Sequence, residues 1–258
     1  MSSDGRTNGS FPYPHLSHSR IDKYLRCPEQ YRLYYIEGLR PKVPSASLLF
    51  GQLQHQALAS LFTEGGDPVQ QFLESWRFAK DRELTYSRGQ SWDSLNDRGE
   101  ALLTKFVEEH LPRIGSVKAV ERPFRLEITG LDLPYVGVID LVYESLGQTA
   151  VSDFKTSASA YAGYEAIMSD QLTAYQLAVP EAEQLSLCVL IKTKEPKIEW
   201  HVSHRNGPRL VEYLSKVKLV AHEIQAGHFY KRAGNWCSMC DYLPVCLGDE
   251  EKTRRVLI

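Results

Sequence analysis

The chain has 258 residues, 43% of them hydrophobic and 24% charged, with a formal net charge of −2. That composition excludes a disordered chain and leaves enough apolar residue for a large core. No apolar run approaches the ~20 residues of a membrane-spanning helix, and the near-neutral balance excludes a uniformly basic polyanion binder, so contact with nucleic acid must rest on a local basic surface or on a metal.

Residues 1–14 read as a flexible polar tail. Met1–Ser10 lacks the apolar core of a signal peptide and the Arg-rich pattern of a transit peptide, which points to a cytoplasmic protein with no membrane contact. His15 and His18 lie where the tail meets the fold. Ser17 suits the N-cap of a helix running through Leu25. Cys27-Pro28 interrupts it, and proline in a first turn predicts a second helix from Pro28 to about Glu37. Its aromatic face, Tyr31, Tyr34 and Tyr35, suits a core better than base stacking. A helix is predicted from Ser45 to about Phe62. Gly51 and His55, four apart, share one of its faces. The glycine permits close approach of another backbone; His55 is either a metal ligand or a hydrogen-bonded interior residue. Residues 67–111 read as helical with a polar break from Ser87 to Asp93. Phe72, Trp76, Leu102, Leu103 and Phe106 recur at helical spacing and form a wall without chemistry of its own.

A strand follows from Val117 to Ile128; Glu121 in it is a further site carboxylate or a solvated one. Gly137–Tyr143 and Val151–Thr156 then read as a hairpin turned at Gly147. Side chains alternate across a strand, so Asp153 and Lys155 share a face while Phe154 points into the core. Asp140 lies on the neighbouring strand. Two carboxylates make a hard oxygen site for Mg²⁺ or Mn²⁺, and a lysine beside them can hold a water or a phosphate; the plainer alternative is a cross-strand ion pair. Tyr164–Val179 reads as a helix with Gln171 and Tyr175 on one face. Strands at Leu185–Lys192 and Lys197–Ser203 come next, with Cys188 a buried thiol. Lys192, Lys194 and Lys197, followed by Arg205, form the best local basic patch for a phosphate backbone. A last helix runs from Pro208 to Gln225. One strand, a hairpin, a helix and two strands predict an α/β fold with a mixed sheet flanked by helices. The organisation expected is a single domain over 15–258, with a helical cap over 17–111, a core over 117–226 and a cysteine-rich end over 227–247.

Five cysteines in a chain of this kind argue against a disulfide scaffold. Cys237, Cys240 and Cys246 supply three thiolates, and zinc and iron–sulfur sites both normally take four ligands. The fourth is either Cys27, giving a cluster that ties the chain ends together, or His228, giving a local zinc site.

In order, the chain presents Cys27-Pro28, Gly51-x-x-x-His55, Gly137-x-x-Asp140, Asp153-x-Lys155, Gln171-x-x-x-Tyr175 and Cys237-x-x-Cys240 through Cys246. That series, spanning 16–247, resembles the RecB-like exonuclease branch of the PD-(D/E)XK nuclease superfamily. It is most similar to members with a four-cysteine iron–sulfur cluster, which include CRISPR-associated adaptation exonucleases and AddB-type nuclease domains. The resemblance implies a restriction-endonuclease-like fold. It implies Asp140 and Asp153 as metal ligands, with His55 and the Phe154 carbonyl as further ones, and Lys155 as the catalytic lysine. Gln171 and Tyr175 would position the DNA strand and that lysine. Cys27, Cys237, Cys240 and Cys246 would hold a 4Fe–4S cluster in preference to zinc. The activity implied is Mg²⁺- or Mn²⁺-dependent hydrolysis of DNA at single-stranded or frayed duplex ends. The setting is CRISPR adaptation or recombination and repair, with CRISPR adaptation proteins or a helicase as partners. The alternative is a catalytically inactive DNA-binding or scaffold subunit of a nuclease–helicase complex.

Overall fold

The computed structural model describes residues 15–258, and the tail expected over 1–14 lies outside the described residues. The chain divides into two compact units, one of residues 1–42, 125–137 and 207–258, the other of 43–124 and 138–206.

In the first unit, helix α1 (His18–Arg26) starts at Ser17, whose hydroxyl accepts the Arg20 N–H at 3.4 Å. Cys27 is extended, and Pro28 then opens α2 (Pro28–Tyr31), which widens into a π-turn over Arg32–Ile36. Tyr31 is wholly buried and stacks on Phe229 with ring centroids 6.1 Å apart, so the aromatic face is core. Such a ring contributes roughly 1.5–3 kcal/mol on burial. Later come α8 (Gly207–Gln225), α9 (Leu243–Leu247) and α10 (Glu250–Val256). The final helix had no apolar period to announce it; Asp249 caps it by accepting the Lys252 N–H at 2.9 Å. The chain end then returns to the N-terminal segment, where Leu257 bridges Pro41.

The second unit carries the sheet. Its strands are β1 (Val117–Leu126), β2 (Tyr135–Ser145), β3 (Gln148–Ser157), β4 (Gln184–Ile191) and β5 (Lys197–Ser203), and they lie in the order β1-β2-β3-β4-β5. The first three residues of β2 and the last two of β1 group with the first unit. Strand β3 pairs antiparallel with β2 and parallel with β4, and β5 is antiparallel to β4. The hairpin turns at Gly147, whose φ of 79° a residue with a side chain rarely adopts. Alternation along the strands sends Phe154, Cys188 and Leu190 to one face. There they pack on α3 (Ala46–Glu64), α4 (Pro68–Phe78) and α5 (Trp92–Lys105) through Phe50, Phe72 and Trp76. Val151, Leu185, Leu187 and Val189 take the opposite face with Leu172 and Tyr175. The result is a mixed α/β fold with helices on both faces of the sheet.

Three expectations need correction. The helix predicted over 164–179 is two, α6 (Tyr164–Met168) and α7 (Asp170–Ala178), because Ser169 is extended and its hydroxyl caps the Leu172 N–H at 3.2 Å. Arg205 does not reach outward for a phosphate. It bonds the main-chain oxygens of Ala166 and Ser169 at 3.0 and 2.9 Å and the Thr173 hydroxyl at 2.7 Å, holding that break in place. Finally, what Gly51 makes room for is a side chain rather than a backbone: a Cβ there would lie 3.0 Å from Thr156 Oγ1.

Candidate active site

The ladder between β2 and β3 runs from Ser145–Gln148 down to Leu141–Ser152. One residue further, the Asp140 carboxylate takes over: its Oδ2 accepts the Phe154 N–H at 2.8 Å. A side chain thus stands where a strand carbonyl would, and the carboxylate is fixed at the point where regular pairing ends. His55, from α3, places Nδ1 3.4 Å from the same oxygen and turns a ring N–H on the Phe154 carbonyl. Glu121, from β1, completes a group in which one ligand atom each of His55, Glu121 and Asp140 lies within 4.8 Å of the others. Glu121 has φ 47°, a strained value for a residue with a side chain.

Asp153 sits beside this group, 1% exposed. Its Oδ1 accepts from Gln171 Nε2 at 2.6 Å and lies 2.9 Å from the Tyr175 hydroxyl. That hydroxyl has one proton to share between Asp153 and the Val138 carbonyl at 2.8 Å, and it accepts from Gln171 Nε2 at 2.8 Å. Lys155 Nζ donates to Gln171 Oε1 at 2.7 Å and is 2.7 Å from Asp153 Oδ2. Oδ2 is buried and is paired with that ammonium. Gln171 therefore bridges the carboxylate and the ammonium, and the pair predicted on one helix face performs that bridging.

The electrostatics follow from crowding. Burial, and then the charge of Asp153, push the Asp140 carboxyl well above the usual carboxylate range. Glu121 is pushed up by partial desolvation and again by Asp153. Burial pulls the His55 imidazole down, against the charge of Asp153, which favours the neutral, ligating form. For Lys155 burial also pulls downward, but the charge of Asp153 and the bond to it outweigh that pull, and the ammonium stays protonated. An acidic cluster whose members suppress one another's ionisation, with a neutral imidazole beside it, fits a hard divalent cation. The cavity in front holds about 870 Å³ and is lined by His55, Glu121, Asp140 and Lys155 together with Ser47, Thr156 and Lys192. Glu121 is the member that reading the sequence left open; its only signal was a carboxylate in the strand preceding the hairpin.

A second cavity, of about 400 Å³, lies within the first unit and is lined by Cys27, Cys237, Cys240 and Cys246. All four are free thiols, and among the described residues no three of their sulfurs come within 4.8 Å of one another. Burial pushes the Cys240 and Cys246 thiols up. Gln30 Nε2 points at Cys240 Sγ from 3.8 Å, and Arg26, Lys231 and Arg232 line the same space. His228 is not part of it; its Nδ1 pairs with Glu223 at 2.9 Å.

The sequence profile of the PD-(D/E)XK nuclease superfamily matches residues 15–247. Among solved structures, the chain is similar in fold to a "Putative exonuclease" from Eubacterium rectale, at 16% identity, with 94% of this chain and 92% of that one covered and a TM-score of 0.55. It also aligns with SSO0001 at 12% identity over 92% of this chain and 88% of that one, with a TM-score of 0.48. No curated protein sequence matches the chain.

Proposed function

The chain belongs to the PD-(D/E)XK nuclease superfamily, and from that premise we propose that it is a divalent-metal-dependent DNA exonuclease acting on single-stranded or frayed duplex ends. The observation that carries the reading is the convergence of His55, Glu121 and Asp140 within 4.8 Å, in the cavity that Lys155 also lines. The donor set suits Mg²⁺ or Mn²⁺, and Asp153, paired with Lys155, is a further carboxylate beside it. His55, Glu121, Asp140, Asp153 and the Phe154 carbonyl are the groups that would hold the ion. When bound, it would lower the pKa of water and offset charge on a phosphate. Lys155, kept charged by Asp153, donates to the attacking water or to a scissile phosphate oxygen. Gln171 and Tyr175 hold Asp153 and Lys155 in register. Preference for chain ends follows the name of the Eubacterium rectale relative and the resemblance of the motifs.

The test is cleavage of end-labelled single-stranded and duplex DNA with Mg²⁺, Mn²⁺ or EDTA. Metal-dependent release of mononucleotides from an end is expected. Internal cuts would overturn the exonuclease reading, and full activity in EDTA would overturn the metal.

We also propose that Cys27, Cys237, Cys240 and Cys246 hold a 4Fe–4S cluster. All four line one cavity, and the cations that line it with them suit the negative charge of a thiolate-bound cluster. A role in CRISPR adaptation or in recombination and repair, alongside adaptation proteins or a helicase, rests on the motif resemblance, and co-purification with such partners tests it.

A further inference from the structure

Lys192 follows β4 directly, and its N–H bonds the Ser157 carbonyl at 2.9 Å, fixing it beside the end of β3. It continues the face of Cys188 and Leu190, the face covered by α3. Its side chain reaches the same cavity as Asp140 and Lys155, yet the residue is only 6% exposed. Among the described residues no carboxylate pairs with it. Its ammonium lies 5.0 Å from the Phe50 ring centroid, and the like charge of Arg98 acts on it. Burial, and then Arg98, push this ammonium down from its ordinary range. A lysine buried without an anion is costly, and surface solvation is ordinarily what a lysine seeks. A cation buried at the wall of a cleft, with no carboxylate paired to it among the described residues, is placed to receive an anion.

We propose that Lys192 forms a second phosphate subsite in the cleft, holding a non-scissile phosphate of the DNA strand next to the one positioned by Lys155. The proposal rests on the nuclease reading for its choice of anion. The strand would then be held at two successive phosphates by two lysines on opposite faces of adjacent strands, Lys155 from β3 and Lys192 after β4. Thr156 lines the same cavity. Phosphate contacts of this kind fix register without reading sequence.

The test is binding of a short fluorescent single-stranded oligonucleotide in EDTA, followed by anisotropy between about 50 and about 200 mM salt, where each phosphate contact contributes a slope of ~0.7. Lys192→Met is expected to weaken binding about tenfold, equivalent to ~1.4 kcal/mol. It should also lower the salt slope by ~0.7, and Lys192→Arg should restore both. If the methionine variant does not fold, Lys192→Gln takes its place with the same expectations. Wild-type affinity and slope in a folded Lys192→Met protein would overturn the subsite. Failure of the nuclease reading looks different: a wild-type protein that binds the oligonucleotide with the Lys192-dependent slope but releases no nucleotides with Mg²⁺ or Mn²⁺ keeps the subsite and loses the activity. A wild-type protein that binds no oligonucleotide overturns the subsite, and cleavage with Mg²⁺ or Mn²⁺ then decides the nuclease reading alone.

Discussion

Asp153 and Lys155 do different jobs, and their substitutions should differ accordingly. Lys155→Ala removes a donor at the cavity wall and leaves the buried Asp153 carboxylate without its cation, so we expect cleavage to fall about 100-fold or more and the melting temperature to drop as well. Asp153→Ala should abolish cleavage and also destabilise, because it takes from Lys155 its carboxylate partner and from Gln171 and Tyr175 one of their hydrogen-bond partners. Breaking a buried pair from one side costs ~3–5 kcal/mol. Paired cleavage and thermal-unfolding measurements check both; wild-type stability in either variant would show that this pair does not anchor the network. His110 offers a test of linkage away from the site. It is 5% exposed, and its Nδ1 accepts the Trp200 indole N–H at 3.0 Å. Burial, and then Arg113, hold its imidazole below the ordinary range. A depressed folded pKa means that the contribution is present above the unfolded histidine value of ~6.5 and is lost as pH falls below it. Melting temperature should therefore drop on acidification, and His110→Asn, which keeps an acceptor for Trp200 but does not titrate, should flatten that drop. Alternation and the i, i+4 rule place Asp153 with Lys155 and Gln171 with Tyr175 on shared faces without any tertiary knowledge, while their roles came from the motif resemblance. Glu121 could not be placed in this way, because its aim depends on a backbone φ of 47° that no residue pattern announces.

At the scale of elements, periodicity located every strand and the long helices, while the breaks escaped it. The stop at Ser169 depends on a capping hydroxyl and on Arg205 reaching from beyond β5, neither of which has a period. The gap between α4 and α5 spans residues 79–91, wider than the polar run alone suggested. What holds α5 against α4 is the absence of a side chain at Gly99. A Cβ there would come within 2.2 Å of the Phe72 ring and 3.0 Å of Gln54 Nε2, whose amide donates to the Gly99 carbonyl at 3.2 Å. Ring and helix must both shift to admit it. Gly99→Ala should cost ~1–3 kcal/mol in denaturant unfolding, with cleavage per folded molecule unchanged, since no ligand of the proposed site moves. Gly51→Ala meets only the Thr156 hydroxyl at 3.0 Å and should cost less. A Gly99→Ala protein as stable as wild type would mean that Phe72 has a second rotamer available.

For the whole chain, the longest-range statement concerns its two ends. Cys27 and Cys237 are separated by about 210 residues, yet both line one cavity with Cys240 and Cys246. The ends of the first unit are also joined by the Tyr31–Phe229 stack, the buried cluster of Leu33, Tyr242 and Leu257, the Leu257–Pro41 bridge and the bond from Tyr24 to the His228 carbonyl at 2.7 Å. Closing a loop costs ~0.6 kcal/mol more for each doubling of its length, so this closure is among the most expensive the chain makes. A group bound by all four sulfurs exists only in the folded state, and its binding free energy becomes folding free energy. Cys27→Ala should therefore behave like Cys240→Ala although it lies at the other end of the sequence. Both should lose iron and the brown absorbance, and both should melt lower. His228→Ala removes only an exposed pair with Glu223 and should keep iron, colour and melting temperature. A local zinc site makes the opposite forecast, with His228→Ala damaging and Cys27→Ala mild. Iron and zinc content measured beside melting temperature for the three variants separates the two, and a Cys27→Ala protein with full iron content would overturn the shared cluster.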